Sequence, residues 1–104
     1  MIAVRDGVRL YTAIYAPVDD LPHPVVLLRT PYALSPYGKG FAKSLRGAES
    51  VLVRHRYIIV YQNVRGTFRS EGDFVNLRPL ARAGSGECDE ATDTFDTVEW
   101  ILEN

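Results

Sequence analysis

A tyrosine that directly follows a short apolar run is the residue of this chain best suited to chemistry. Residues 25–28 predict a buried strand, and Arg29-Thr30-Pro31-Tyr32 comes next. A phenol has a pKa of about 10, so its hydroxyl remains a neutral donor at pH 7. At the carboxyl end of a strand, this hydroxyl can donate a hydrogen bond to the oxyanion that develops during acyl transfer. The alternative is a core tyrosine whose hydroxyl bonds the backbone.

The rest of a hydrolytic centre is missing from the sequence. No Gly-x-Ser-x-Gly-like nucleophile site occurs, and five serines lack that context: Ser35, Ser44, Ser50, Ser70 and Ser85. His23 lies between two prolines and His55 lies in a basic cluster, so both are interpreted as surface or helix-end residues. We therefore expect one catalytic accessory without a nucleophile, and no turnover by this chain alone.

The charge and hydropathy patterns exclude two classes of partner. All 12 basic residues lie at or before Arg82 with six acidic ones, whereas residues 83–104 hold seven acidic residues and no basic one. The basic residues are scattered among predicted strands and turns, so we expect no nucleic-acid partner. No apolar stretch is long enough for a membrane span, and Met1 leads directly into a strand, which predicts no leader. Cys88 is the only cysteine, so redox compartment and localisation stay open.

The hydrophobic pattern predicts an α/β order of elements. Residues 2–4 and 8–16 are predicted strands around Asp6-Gly7, a pair typical of a tight hairpin turn. The other predicted elements are strands at residues 25–28 and 57–60, helices at 41–55 and 90–102, and an irregular loop at 64–87. A strand, helix, strand unit implies a parallel pair with a right-handed crossover.

The last predicted helix points to an incomplete sheet. Its apolar residues recur at helical spacing and are expected to face the core: Ala91, Phe95, Val98, Ile101 and Leu102. A helix in this position needs a further parallel strand, so residues 1–104 are expected to form the N-terminal portion of a truncated α/β domain. We also expect an unpaired parallel edge beside residues 57–60, which would be a docking surface.

Charged residues near the predicted strand ends are expected to have structural roles. Arg65 is expected to pair with Asp73, Glu71 or another carboxylate and so to hold the long loop. Asp93 and Asp96 occupy neighbouring positions on one helix face, where carboxylates stabilise the first turns. No cluster of histidines or cysteines accompanies them, so we expect no metal site.

Five short motifs occur in a recognisable order across nearly the whole chain. They are Arg5-Asp6-Gly7-Val8-Arg9-Leu10, Arg29-Thr30-Pro31-Tyr32, Gln62-Asn63-Val64-Arg65-Gly66, Ser70-Glu71-Gly72-Asp73-Phe74 and Asp96-Thr97-Val98-Glu99-Trp100. The chain thereby resembles the N-terminal part of the α/β-hydrolase domain shared by cocaine esterase, the Xaa-Pro dipeptidyl-peptidases and the α-amino-acid ester hydrolases. The last branch is the most similar, because of Asn76-Leu77-Arg78-Pro79 and Asp89-Glu90-Ala91-Thr92-Asp93.

The resemblance implies a serine hydrolase that acts on acyl or aminoacyl esters or on peptides, without a cofactor. It implies that the nucleophilic serine follows the helix containing Trp100, and that the catalytic Asp and His come later still. It also implies that the Tyr32 side chain replaces one backbone N–H of the oxyanion hole. Substrate preference and homo-oligomer formation stay open.

Two functional classes remain from the sequence. The first is a hydrolase portion that supplies the oxyanion-hole tyrosine but not the triad. The second is a non-catalytic, incomplete module that associates with a complementary chain through its exposed sheet edge.

Overall fold

A small mixed sheet with one helix on each face organises the chain. The computed structural model describes residues 1–34, 48–82 and 84–104. Its elements are β1 (Ile2–Ala3), β2 (Arg9–Leu10), β3 (Thr12–Tyr15), β4 (Val25–Thr30), α1 (Ala48–Arg54), β5 (Ile58–Asn63) and α2 (Glu90–Glu103). Neither described helix is long and apolar enough to cross a membrane.

The predicted N-terminal hairpin is confirmed. β1 and β2 pair antiparallel, with Ile2 opposite Leu10. The Val4 and Gly7 amides donate to the carbonyls of Val8 and Val4 at 2.9 and 2.8 Å. Gly7 has φ of 84°, a left-handed conformation that glycine adopts without steric cost. The Asp6-Gly7 pair therefore makes the turn that its composition predicts.

The second predicted strand, residues 8–16, divides into β2 and β3 at Tyr11. The Tyr11 amide donates to Ser70 Oγ at 2.9 Å, and the Tyr11 carbonyl accepts from the Asn63 amide at 3.0 Å. A side chain from the distant loop thus takes one ladder position of the strand. Beyond Tyr11 the chain changes partner and pairs with β5 instead of β1.

The central sheet has the order β3-β5-β4. β4 and β5 are parallel, as expected, with Leu27 opposite Val60, whereas β3 runs antiparallel on the other side with Ile14 opposite Val60. The prediction of an unpaired parallel edge beside residues 57–60 is therefore wrong. β3 occupies that side of β5, and β4 is an outer strand in the described part of the sheet.

The two helices cover opposite faces of this sheet because neighbouring residues of β5 point to opposite sides. On one face, Ile59 and Tyr61 are buried with Leu34 and pack against Leu52 of α1. The Tyr61 hydroxyl donates to Glu49 of α1. Of the helix expected at 41–55, residues 48–54 are helical and His55 follows in a turn, while residues 41–47 lie outside the described residues.

The helix α2 begins and ends close to its predicted bounds. Its polar side faces the sheet, whereas the sequence predicts that its apolar side does. Asp89 caps its N-terminus by accepting from the Thr92 amide, and the Thr92 hydroxyl accepts from the Asp89 amide. Asp93 and Thr97 are its buried residues, whereas Phe95, Val98 and Leu102 are exposed. The expectation that the apolar stripe faces the core is wrong. The reason is that the sheet face beneath α2 presents polar side chains that need hydrogen-bond partners.

Candidate functional site

Tyr32 lies two residues beyond the carboxyl end of β4, as the sequence predicts. The residue is 77% exposed, so the alternative of a core tyrosine is wrong. Within the described residues its hydroxyl has no hydrogen-bond partner. An exposed hydroxyl donor beside the strand ends is available to a bound ligand, and its catalytic role stays a prediction.

The backbone of Tyr32 is held although its side chain is exposed. Its amide donates to Thr30 Oγ1 at 3.1 Å, and its carbonyl accepts from Asn63 Nδ2 at 2.8 Å. The Val64 amide donates to the Thr30 carbonyl at 3.1 Å. These bonds tie the turn after β4 to the adjacent end of β5.

Gly66 brings the loop after β5 back across the strand ends. It has φ of 69°, and a Cβ at this position would lie 1.9 Å from the Phe74 amide nitrogen. Only glycine meets both requirements. The Gly66 amide donates to the Glu71 carbonyl at 2.9 Å, which closes the loop.

Arg65 forms a buried ion-pair cluster beneath these strand ends. Its Nε and Nη2 donate to the two Asp93 carboxylate oxygens at 3.0 and 2.6 Å, and Nη1 donates to Asp6 Oδ2 at 2.6 Å. The side chains of Arg65 and Asp93 are 8% and 1% exposed. The predicted carboxylate pairing is confirmed, but Asp73 and Glu71 are not the partners. Arg65 instead joins the hairpin turn to α2.

The hydrogen bonds to Asp93 and then Asp6 raise the pKa of Arg65 above its usual range, although burial opposes them. The guanidinium therefore stays charged at every accessible pH. A charge that cannot be neutralised makes its carboxylate partners obligatory in the folded state.

Arg29, which the sequence marks only as part of a motif, is a second arginine, and its side chain is mostly buried at 11% exposed. Its Nε donates to Gln62 Oε1 at 2.8 Å, while Nη1 donates to the Glu90 carbonyl at 2.7 Å and to Thr94 Oγ1 at 2.5 Å. Burial lowers the pKa of Arg29, and the nearby charges of Glu90 and Asp93 act against that. The available signal was an arginine directly after a strand predicted to be buried.

Both carboxylates in the first two turns of α2, Asp93 and Asp96, are paired with arginines. Asp93 binds Arg65, and Asp96 accepts from the amide and guanidinium of Arg5, the shortest contacts being 2.7 Å. Within residues 1–34, 48–82 and 84–104, no three metal-ligating side chains form a group. These two carboxylates thus act as structural partners in this part of the molecule.

Neither histidine lies near Tyr32 in the sheet. His23 precedes the amino end of β4 and its Nε2 lies 2.7 Å from Asp19 Oδ1, while His55 is exposed just after α1. Ser70 is structural, since its Oγ donates to the Asn63 carbonyl at 2.7 Å. Ser35 and Ser44 lie outside the described residues.

Several carboxylates have lowered pKa values because they accept hydrogen bonds. Arginines are the main cause for three of them: Arg65 for Asp6, Arg5 for Asp96 and Arg9 for Glu71. The backbone amides of Thr92 and Ala81 lower the pKa of Asp89. In the acid range the folded chain therefore binds fewer protons at these groups than the unfolded chain.

Acidification below a pH of about 4 is expected to destabilise the fold. The stability from these carboxylates is present above their unfolded pKa of about 4 and is lost as the pH falls through their lower folded values. Melting temperatures measured from neutral pH downward should be level at first and then fall. Asp96→Asn should lower the melting temperature at neutral pH. On acidification, the melting temperature of this variant should fall by less than that of the parent. If the melting temperature of Asp96→Asn falls with decreasing pH as steeply as the parent's, the role of Asp96 is contradicted.

An antiparallel hairpin leads into the parallel β4–β5 pair, and α1 and α2 lie on opposite faces, which is the arrangement expected for the N-terminal portion of an α/β-hydrolase sheet. Residues 6–104 match the X-Pro dipeptidyl-peptidase (S15) family, and the chain belongs to that family. The chain is 39% identical over 103 residues to the cocaine esterase of Rhodococcus sp. (strain MB1 Bresler), covering 99% of this chain and 16% of that protein.

Solved structures agree with this assignment. An α-amino acid ester hydrolase labelled with selenomethionine superposes with a TM-score of 0.83 and 43% identity, over 100% of this chain and 18% of that one. An aminopeptidase from the marine sediment archaeon Thaumarchaeota archaeon gives 0.79 and 36%, again over 100% and 18%. The expected fold class is confirmed, and the chain spans less than a fifth of the length of these relatives.

Proposed function

We propose that this chain forms the N-terminal part of a serine hydrolase that acts on ester or amide bonds of acyl or aminoacyl substrates. The supporting observation is the position of Tyr32 in a family of hydrolases: it is an exposed donor at the carboxyl end of β4, with no hydrogen-bond partner for its hydroxyl among the described residues. Its role would be to stabilise the oxyanion, while the nucleophile, acid and histidine would come from the rest of the enzyme.

The chemistry of acyl transfer explains why a tyrosine suits this position. In α/β-hydrolases one oxyanion donor is the backbone N–H after the nucleophile, and the other comes from the loop after an early strand. The Tyr32 hydroxyl would take the second role. Negative charge grows on the carbonyl oxygen as the tetrahedral intermediate forms, so a donor aimed there stabilises the transition state more than the substrate. A serine, histidine and acid perform this reaction without a cofactor.

The isolated chain is expected to show no serine-hydrolase turnover. An oxyanion donor without a nucleophile cannot form an acyl-enzyme. Incubation with an activated ester should give no burst, and a fluorophosphonate probe should leave no covalent adduct. The full-length hydrolase containing this segment is the positive control, in which one serine should be labelled. Stoichiometric labelling of any serine in the isolated chain would overturn the proposed division of roles.

A non-catalytic module that docks through its sheet edge is the second candidate. The observation in its favour is that β4 is an outer strand in the described part of the sheet, with Val25 and Leu28 exposed. The residues encoded after Asn104 discriminate between the two candidates. A Gly-x-Ser-x-Gly-like elbow some tens of residues further on supports the hydrolase, and a reading frame without one supports the module.

A further inference from the structure

Asn63 is the buried side chain that contacts the turn carrying Tyr32. It is the last residue of β5 and is fully buried. Its Nδ2 lies 2.8 Å from the Tyr32 carbonyl oxygen. A carbonyl can only accept, so this contact requires a donor, and the amide NH₂ of asparagine provides one.

The position of Asn63 is itself fixed from several directions. Its amide donates to the Tyr11 carbonyl at 3.0 Å, and its own carbonyl accepts from Ser70 Oγ at 2.7 Å. Across the parallel ladder it lies opposite Thr30, the last residue of β4. Asn63 therefore connects β3, the loop after β5 and the end of β4, and gives the turn a rigid support.

Among the residues that the structure describes, Tyr32 has few other restraints. Its side chain is mostly exposed, so packing does little to set the direction of the ring. Its amide bonds only Thr30 within the same short turn, through Oγ1. The hydrogen bond from Asn63 is thus the contact that joins the Tyr32 backbone to a separate, rigid element of the fold.

We propose that Asn63 is a positioning residue for Tyr32, whose side-chain amide holds the backbone from which the hydroxyl reaches the oxyanion. This inference rests on the proposed function. Asn63 touches neither the substrate nor the reacting atoms, so it acts only through the aim of Tyr32. Oxyanion stabilisation depends on donor distances within a few tenths of an ångström, which makes such an indirect role costly to lose.

The first test compares two buried amides of β5 in the full-length hydrolase. Asn63→Leu should lower kcat by about ten- to a hundredfold with little change in KM, since a small misplacement of a catalytic group has effects of this size. Gln62→Leu is the matched control, because Gln62 is equally buried but bonds Thr12, Thr97 and Arg29 on the α2 side. It should lower the melting temperature while kcat stays close to the parent's. A parent-like kcat in Asn63→Leu would overturn the proposal.

The second test asks whether the effect passes through Tyr32. In a Tyr32→Phe background, Asn63→Leu should lower kcat little further, because the group that it positions is already gone. An equal loss in both backgrounds would show a general structural role and overturn the proposal. A Tyr32→Phe enzyme with parent-like kcat would remove the proposed function of Tyr32 and this inference with it. A large Tyr32→Phe effect beside a harmless Asn63→Leu would remove the inference alone.

Asn63→Asp provides a readout if Asn63→Leu does not fold. Its carboxylate cannot donate to the Tyr32 carbonyl, but the protonated acid can. The ratio of its kcat to the parent's should therefore rise as the pH is lowered, since the ratio cancels titrations common to both enzymes. A ratio independent of pH would contradict the need for a donor at this position.

Discussion

Replacing the Tyr32 hydroxyl by hydrogen, in Tyr32→Phe, is expected to lower kcat of the full-length hydrolase about a hundred- to a thousandfold. Loss of one oxyanion donor typically costs about 2.7–4 kcal/mol in the transition state. The lost hydrogen bond forms mainly in the transition state, so KM should change little. The unfolding free energy should change by no more than about 1 kcal/mol, since the hydroxyl has no partner in the described structure.

A matched control for this experiment is Tyr57→Phe. Tyr57 immediately precedes β5, at the end of the sheet opposite Tyr32, and removal of its hydroxyl should leave kcat unchanged. Steady-state kinetics and thermal melts on both variants separate a catalytic loss from a folding defect. A Tyr32→Phe enzyme with nearly normal kcat would reduce this tyrosine to a surface residue.

Removal of the Asp93 carboxylate, in Asp93→Ala, is expected to have the largest effect on stability. It would leave the Arg65 guanidinium buried without its main partner, and breaking a buried ion pair in this way costs about 3–5 kcal/mol. Arg65 cannot escape by deprotonation, because a guanidinium is basic enough to keep its proton throughout the pH range in which proteins fold. Hydrogen exchange of the α2 amides in the full-length protein should show the opening free energy of the helix falling by this amount.

Two further variants identify the source of that loss. Asp96→Ala removes a carboxylate one turn along the same helix, but its partner Arg5 is half exposed and can be solvated, so the loss should be much smaller. Adding Arg65→Met to Asp93→Ala removes the stranded charge and should restore part of the stability. If the double variant is no more stable than Asp93→Ala, an unpaired Arg65 is not the cause.

The interior between α2 and the sheet was the least predictable part of the fold. Gln62, Asp93 and Thr97 form a polar contact there, with Gln62 Nε2 donating to Thr97 Oγ1 at 3.0 Å. Helical periodicity predicts that the apolar stripe of a helix faces the core, but in α2 the polar face lies against the sheet. Side-chain pairs between a strand and a helix 35 residues apart leave no local signal in either segment.

Local chemistry explains the elements that were predicted correctly. Asp6-Gly7 makes the hairpin because glycine tolerates positive φ. The predicted strands at residues 25–28 and 57–60 correspond to β4 and β5, with only Tyr57 outside, because apolar runs suit parallel strands. The α2 bounds follow from the Asp89 cap and the helical spacing after it. Each of these features depends on residues that are close together in the chain.

For the site, the sequence by itself determined which donor would follow β4 and that no nucleophile elbow accompanies it in residues 1–104. The tertiary structure decided what supports that donor: Asn63 at the Tyr32 carbonyl, and the Arg65–Asp93 pair that fastens α2 beneath the strand ends. The physical reason is the separation along the chain of the residues that interact. Turns, caps and strand periodicity arise from neighbouring residues, whereas a buried hydrogen bond or ion pair depends on which distant segments the folded sheet brings within about 3 Å.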